Sequence, residues 1–206
     1  MVTIHYFFDP MCGWCYGASD LIEPLVTSPQ FNVVFHPGGM LNQHEIGSEF
    51  RQHIIGSDER IAAETGAVFG DAYVQRVKQE REFILDSYLP TLAILTAEKL
   101  GLDPWVMLKA IQSAHYQSGL KVNEPSTLKS IAETLGLDTS DWDELMEQNQ
   151  TVLINEIHSS QQLMSQLQVS GFPTLLVEKE GQFFRIPHTA YYGKPEQWQD
   201  ALQQLQ

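Results

Sequence analysis

The chain opens on a compact apolar run, Ile4 to Phe8, halted by Asp9-Pro10, which predicts a buried strand. From Cys15 to about Val26 the apolar positions Ala18, Leu21, Ile22 and Leu25 follow the period of one helix face, and Pro24 is expected to kink or shorten that helix. Phe31 to Phe35 predicts a second strand, closed by the turn-like His36-Pro37-Gly38-Gly39. The chain therefore begins β-α-β.

From about Met40 to Gln168 the pattern is helical throughout. Leu89, Leu92, Thr96 and Leu100 form a stripe stopped by Gly101, after which Asp103-Pro104 supplies an N-cap and a first-turn proline. Leu128, Ile131, Ala132 and Leu135 form a second stripe, stopped by Gly136, and Leu153, Ile157, Ser160, Met164 and Leu167 mark a long amphipathic helix. Strands return at Thr174 to Glu178 and Gln182 to Ile186, joined through Lys179-Glu180-Gly181. Gly193-Lys194-Pro195-Glu196 then opens a final helix through Trp198, Leu202 and Leu205. The predicted order is β-α-β, a helical block, then β-β-α.

Composition narrows the function classes. In 206 residues, 26 Asp and Glu against 12 Lys and Arg give a formal charge of -14, which repels phosphate backbones and anionic lipid heads. Neither nucleic acid nor a membrane is an expected partner. The N-terminus lacks a basic segment and a secretory apolar core, so a cytoplasmic protein is the expectation. A chain this long buries enough surface to fold without a structural disulfide or metal.

The two cysteines lie three residues apart, in Cys12-Gly13-Trp14-Cys15, where the first strand gives way to a helix. In a reducing compartment that spacing argues for chemistry over structural bridging. If the helix starts at Cys12, the sulfurs sit one turn apart, within reach of a disulfide. The unsatisfied amides of a helix N-terminus stabilise a thiolate and lower cysteine pKa values from about 8.5 into roughly the 3.5–7.5 range. Cys12 is the expected nucleophile and Cys15 the resolving thiol. Gly13 and Trp14 carry no positive charge and Asp9 adds a negative one, which predicts a moderately acidic Cys12 and a reducing or intermediate potential. The competing reading, half of a zinc site, lacks the second cysteine pair that a closed site commonly uses.

Ser170-Gly171-Phe172-Pro173-Thr174 stands just before the hairpin. Its plain reading is a turn. Its sharper reading is a cis-proline loop across from the cysteines, with the Phe172 backbone able to pair with an extended substrate. The strand Ile4 to Phe8, the motif Asp9-Pro10-Met11-Cys12-Gly13-Trp14-Cys15-Tyr16 and Gly171-Phe172-Pro173-Thr174 together resemble the DsbA-like branch of the thioredoxin superfamily, and within it the FrnE-like proteins. The resemblance implies an α/β thioredoxin-like fold, with residues 1–40 and 169–206 as the thioredoxin-like domain and 41–168 as an inserted helical domain. It also implies Cys12 as nucleophile, Cys15 as resolving thiol and Pro173 as the cis-proline bordering the substrate groove. One departure stands out: many thioredoxin-like proteins carry a buried acid six residues before the first cysteine, where this chain has Tyr6. Water, Asp9 and His5 are the candidates for moving the Cys15 proton.

The expected function is disulfide reduction or isomerisation, on a disulfide-containing protein or small molecule. No cofactor is expected, with glutathione a candidate redox partner and the thiol donor otherwise unassigned. A glutathione-dependent isomerase or transferase and a redox-switched peptide-binding chaperone are the rival readings. Trp14 is weighed evenly between substrate contact and packing on the sheet edge. Tyr16 and Phe172 are candidates for a hydrophobic rim, with core packing the commoner fate of aromatic residues. His36-Pro37-Gly38-Gly39 is read first as a turn, His115 and His158 as ordinary helix histidines, and Lys78-Gln79-Glu80-Arg81-Glu82 as a solvated helix face.

Overall fold

The computed structural model describes residues 1–205. Strand β1 (Val2–Phe8) is buried from Ile4 onward because both its faces are covered. Ile4, Tyr6 and Phe8 turn into the main core, while Phe7 joins a second cluster with Val169 and Leu176. The chain crosses through α1 (Gly13–Gly17) and α2 (Ser19–Thr27) to β2 (Phe31–Pro37), which pairs parallel with β1 and sets Tyr6 opposite Phe35. A parallel pair requires such a crossover.

One expectation fails here. The helix is broken at Ala18, and α2 runs past Pro24 to Thr27. The Ser19 hydroxyl donates to the Tyr16 carbonyl at 2.7 Å, competing with the bond a continuous helix would make there.

The next stretch is not helical throughout, as its periodicity predicts. Strands β3 (His44–Glu45) and β4 (Ile84–Leu85) pair antiparallel, each too short to show a strand period. Around them lie α3 (Ser48–Thr65), α4 (Asp71–Gln79), α5 (Tyr88–Lys99), α6 (Pro104–Tyr116), α7 (Pro125–Thr134), α8 (Trp142–Gln148) and α9 (Gln150–Gln166). Asp103 caps α6 as expected, its carboxylate accepting from the Trp105 amide at 2.8 Å. The charge cluster at 78–82 is not one helix face: α4 stops at Gln79, and the Glu80 carboxylate turns to meet Arg76 and Lys121, each at 2.8 Å.

Strands β5 (Thr174–Lys179) and β6 (Gln182–Arg185) complete a four-stranded sheet of order β2-β1-β5-β6. Glu180 and Gly181 between them both take left-handed backbone, φ 51° and 75°, as a two-residue hairpin loop demands. A single 3₁₀ turn, His188–Tyr191, leads to α10 (Pro195–Gln204), which is pinned to α2 where the Trp198 indole donates to the Leu21 carbonyl at 2.9 Å. Among the described residues no helix is long and apolar enough to cross a membrane.

Candidate active site

Strand β1 delivers Asp9, and the turn after it places Cys12 as the N-cap of α1, with extended backbone at φ -87° and ψ 115°. The Cys12 sulfur accepts from the Cys15 amide at 3.4 Å, so it fills the role an N-cap hydroxyl would fill. Both cysteines are free, and they differ in access: Cys12 is 8% exposed and Cys15 is fully buried. Burial first, then the neighbouring Cys12, pushes the Cys15 thiol well above its ordinary range; the Asp9 main chain opposes this and the Asp9 charge adds to it.

The Phe172-Pro173 peptide is cis, and the Cys12 thiol donates to the Phe172 carbonyl at 3.5 Å. The predicted loop therefore lies against the cysteine turn. The Phe172 ring in turn lies over Gly38, where a Cβ would come within 2.1 Å of Cζ. The segment at His36 to Gly39 thus ends a strand and also supports this loop. Gly38→Ala is expected to displace the ring and the Phe172 carbonyl, costing about 1–3 kcal/mol of stability as an overpacking change. Thermal melts and disulfide-reduction rates would check it, and a wild-type melt with wild-type turnover would contradict it.

Trp14 stacks on Tyr192 with ring centroids 5.7 Å apart, and the Arg60 guanidinium sits 4.9 Å from the Trp14 ring centroid. Tyr16 is not at the rim. It stacks on Tyr116 at 4.7 Å, donates to the Val68 carbonyl at 2.6 Å and accepts from Gln117 at 2.9 Å, joining α1 to the helical stretch.

Of the proton candidates for Cys15, His5 faces away from it, and Asp9 is close enough to act on it but holds other donors. His5 points to the opposite side of β1 from Tyr6, its ring nitrogens paired with His36 at 2.8 Å and Glu178 at 3.1 Å. Asp9 is fully buried, but its carboxylate is already committed to the Met11 amide at 2.9 Å, the Met40 amide at 2.7 Å and the Ser87 hydroxyl at 2.7 Å. Burial raises its pKa to about 6 against those three donors. Asp9 is a clamp that ties the cysteine turn to the segments carrying Met40 and Ser87.

The sequence reading missed three residues that converge here. Asp58 of α3 lies against Gly13, with Oδ1 3.1 Å from where a Gly13 Cβ would stand, and its Oδ2 accepts from the Tyr73 hydroxyl at 2.9 Å. Burial raises its pKa to about 7, the Tyr73 bond opposing. Its one legible signal was an acid between Ile54 and Ile61 at helical spacing. Tyr192, beyond the last strand, carried no such signal. Tyr116 ends α6 without any local signal; burial raises its phenol first, then Tyr73, Cys12, Asp58 and Cys15 in that order. His115 is buried rather than at the surface; the Leu120 main chain bonds its ring while Nδ1 lacks a partner, and burial lowers its pKa to about 3. His158 is exposed.

A family model described as the DSBA-like thioredoxin domain matches residues 3–193. The cytosolic disulfide reductase DsbM from Pseudomonas aeruginosa is 34% identical, with 98% of this chain and 97% of that chain covered and a TM-score of 0.91. A structure of that reductase with GSH superposes with a TM-score of 0.89 at 33% identity, covering 98% of each chain. DsbA from the same organism, at 16% identity, shares the fold with a TM-score of 0.56 over 98% of this chain and 80% of its own. None of the curated proteins matches. The fold is α/β and thioredoxin-like with a helical insertion, and the chain belongs to the DSBA-like thioredoxin domain family.

Proposed function

We propose that this protein reduces or isomerises disulfides in the cytoplasm, using Cys12 as nucleophile and Cys15 as resolving thiol. The observation that carries this reading is the environment of Cys12: the more accessible sulfur of the pair, it receives the Cys15 amide and faces the Phe172 carbonyl beside Pro173. A substrate chain laid along Phe172 and Pro173 would bring its disulfide to that sulfur, with Trp14 at the margin. Residues 41–168 act in this reading as an inserted helical domain that closes the far side of the site, and within the family the chain sits in the FrnE-like branch.

The Cys12 thiolate attacks one sulfur of the substrate disulfide, forming a Cys12–substrate bond and releasing the other substrate sulfur as a thiolate. Deprotonated Cys15 then attacks the Cys12 sulfur, closes the Cys12–Cys15 disulfide and releases the second substrate thiolate. Solvent protonates both leaving groups. Two electrons have passed to the substrate, and two molecules of a thiol such as glutathione reopen the pair as they become one disulfide. The likeness to a cytosolic disulfide reductase whose structure contains GSH supports this choice of direction and of thiol.

Cys15→Ser is expected to trap the first intermediate, because nothing remains to resolve it. Mass spectrometry after mixing with a disulfide substrate should show a substrate adduct on Cys12 that a reductant removes. Absence of any Cys12 adduct would defeat the assignment.

A further inference from the structure

The chain lacks the acid that many thioredoxin-like proteins bury six residues before the first cysteine, and Tyr6 holds that place. Its ring points from β1 into the core, stacked on Phe8 at 5.4 Å. The hydroxyl is fully buried, lies against Cys15 and makes no hydrogen bond of ordinary geometry. A second phenol shares that condition. Tyr192 stacks on Trp14, the residue between the cysteines, and its hydroxyl is likewise buried without a partner. Two buried hydroxyls without a hydrogen bond of ordinary geometry near one pair of sulfurs are unusual, since a buried donor left poorly paired costs the fold its desolvation.

We propose that Tyr6 and Tyr192 are positioning residues for the redox step, their hydroxyls donating hydrogen bonds to the thiolate of the Cys12–Cys15 pair when it forms. The proposal rests on the reading of that pair as redox-active. A thiolate is a charged acceptor, and hydrogen bonds to it are stronger than those to a neutral thiol or to a disulfide. The phenols therefore favour the thiolate over the closed disulfide and offset the burial that makes Cys15 hard to ionise. Burial and both cysteines raise the two phenols above the ordinary tyrosine range, so they remain donors and do not act as bases. The other titratable groups facing them are Glu64, whose charge reaches Tyr192, and His188, whose ring meets Tyr192 edge-on at 5.9 Å. From the strand side the Asp9 main chain favours the Cys15 thiolate while the Asp9 charge opposes it, and the buried Tyr116 feels both sulfurs from α6.

The test compares wild type with Tyr6→Phe, Tyr192→Phe and the double variant. Thiolate absorbance of the reduced protein is titrated against pH, and the pair is equilibrated with mixtures of reduced and oxidised glutathione above the wild-type midpoint. Each variant should raise the midpoint, and each should move the glutathione equilibrium toward the protein disulfide by about tenfold, the low end for a hydrogen bond to a charged group. Tenfold corresponds to a potential about 30 mV more negative. Thermal melts separate this from a structural role: the oxidised variants should keep or gain stability, because their lost hydroxyls had no hydrogen bond of ordinary geometry. A wild-type midpoint and equilibrium in the double variant would overturn the proposal while leaving the redox reading intact. A wild-type protein whose cysteines never exchange with glutathione would remove both.

Discussion

Cys12→Ser is expected to lower disulfide-reduction turnover by about 10³-fold or more, since the thiolate is the nucleophile and a serine hydroxyl at neutral pH is not. The substitution separates chemistry from folding unusually well. Cys12 caps α1 by accepting from the Cys15 amide, and serine is among the best residues in that role. The variant should therefore melt at or above the wild-type temperature while its turnover of insulin disulfides falls to the uncatalysed rate. Retained turnover would exclude Cys12 as the attacking sulfur.

Asp58→Asn is expected to stabilise the protein above neutral pH and to do nothing in acid. The sign follows from the direction of the shift. In the folded chain burial raises the carboxyl from 3.8 to about 7, so folding favours its protonated form. Its contribution to stability is complete below the unfolded value and is lost as pH rises through the folded one. The shift is about three units, and at about 1.4 kcal/mol each the ionised group costs up to about 4 kcal/mol at high pH. Asparagine keeps an acceptor for the Tyr73 hydroxyl and carries no charge. Denaturant melts of both proteins from pH 4 to pH 8 should show curves that coincide in acid and diverge between them. Asp9, raised to about 6, titrates in the same window, and taking the difference between the two proteins removes its contribution. A gap that does not depend on pH would show that Asp58 carries no such charge penalty.

Much of this site could be read along the chain because its parts are local. The strand-to-helix turn at Cys12 needs only Asp9-Pro10 and the residues that follow, and the hairpin after Pro173 needs only a period of two and Glu180-Gly181. What escaped was set by contacts between distant segments. Asp58 reads as a polar residue in an indifferent helix until α3 packs on α1 so closely that the Ile61 methyl would lie 2.5 Å from a Cβ on Gly17. His5 and Tyr6 are neighbours in sequence, yet strand alternation sends one to His36 and Glu178 and the other to Cys15. The break at Ala18 also escaped, because Ala18, Leu21, Ile22 and Leu25 keep one helical period across it.

The sequence by itself determined the flanking β-α-β and β-β-α orders, a mainly helical stretch between them apart from the short β3–β4 pair, and the position of a cysteine pair at the head of a helix, since these follow from periodicity and chain-breaking residues within a few positions. Tertiary structure decided which further side chains meet that pair, and how closely the loop expected opposite the cysteines approaches it. Strand pairing brings Phe172 to Cys12 across 160 residues of sequence separation. The fold also buries Cys15, commits Asp9 to three donors, sets the Tyr6 hydroxyl against Cys15 and leaves the Tyr192 hydroxyl without a partner. Desolvation and hydrogen-bond geometry are properties of the assembled core, and no local pattern of residues encodes them.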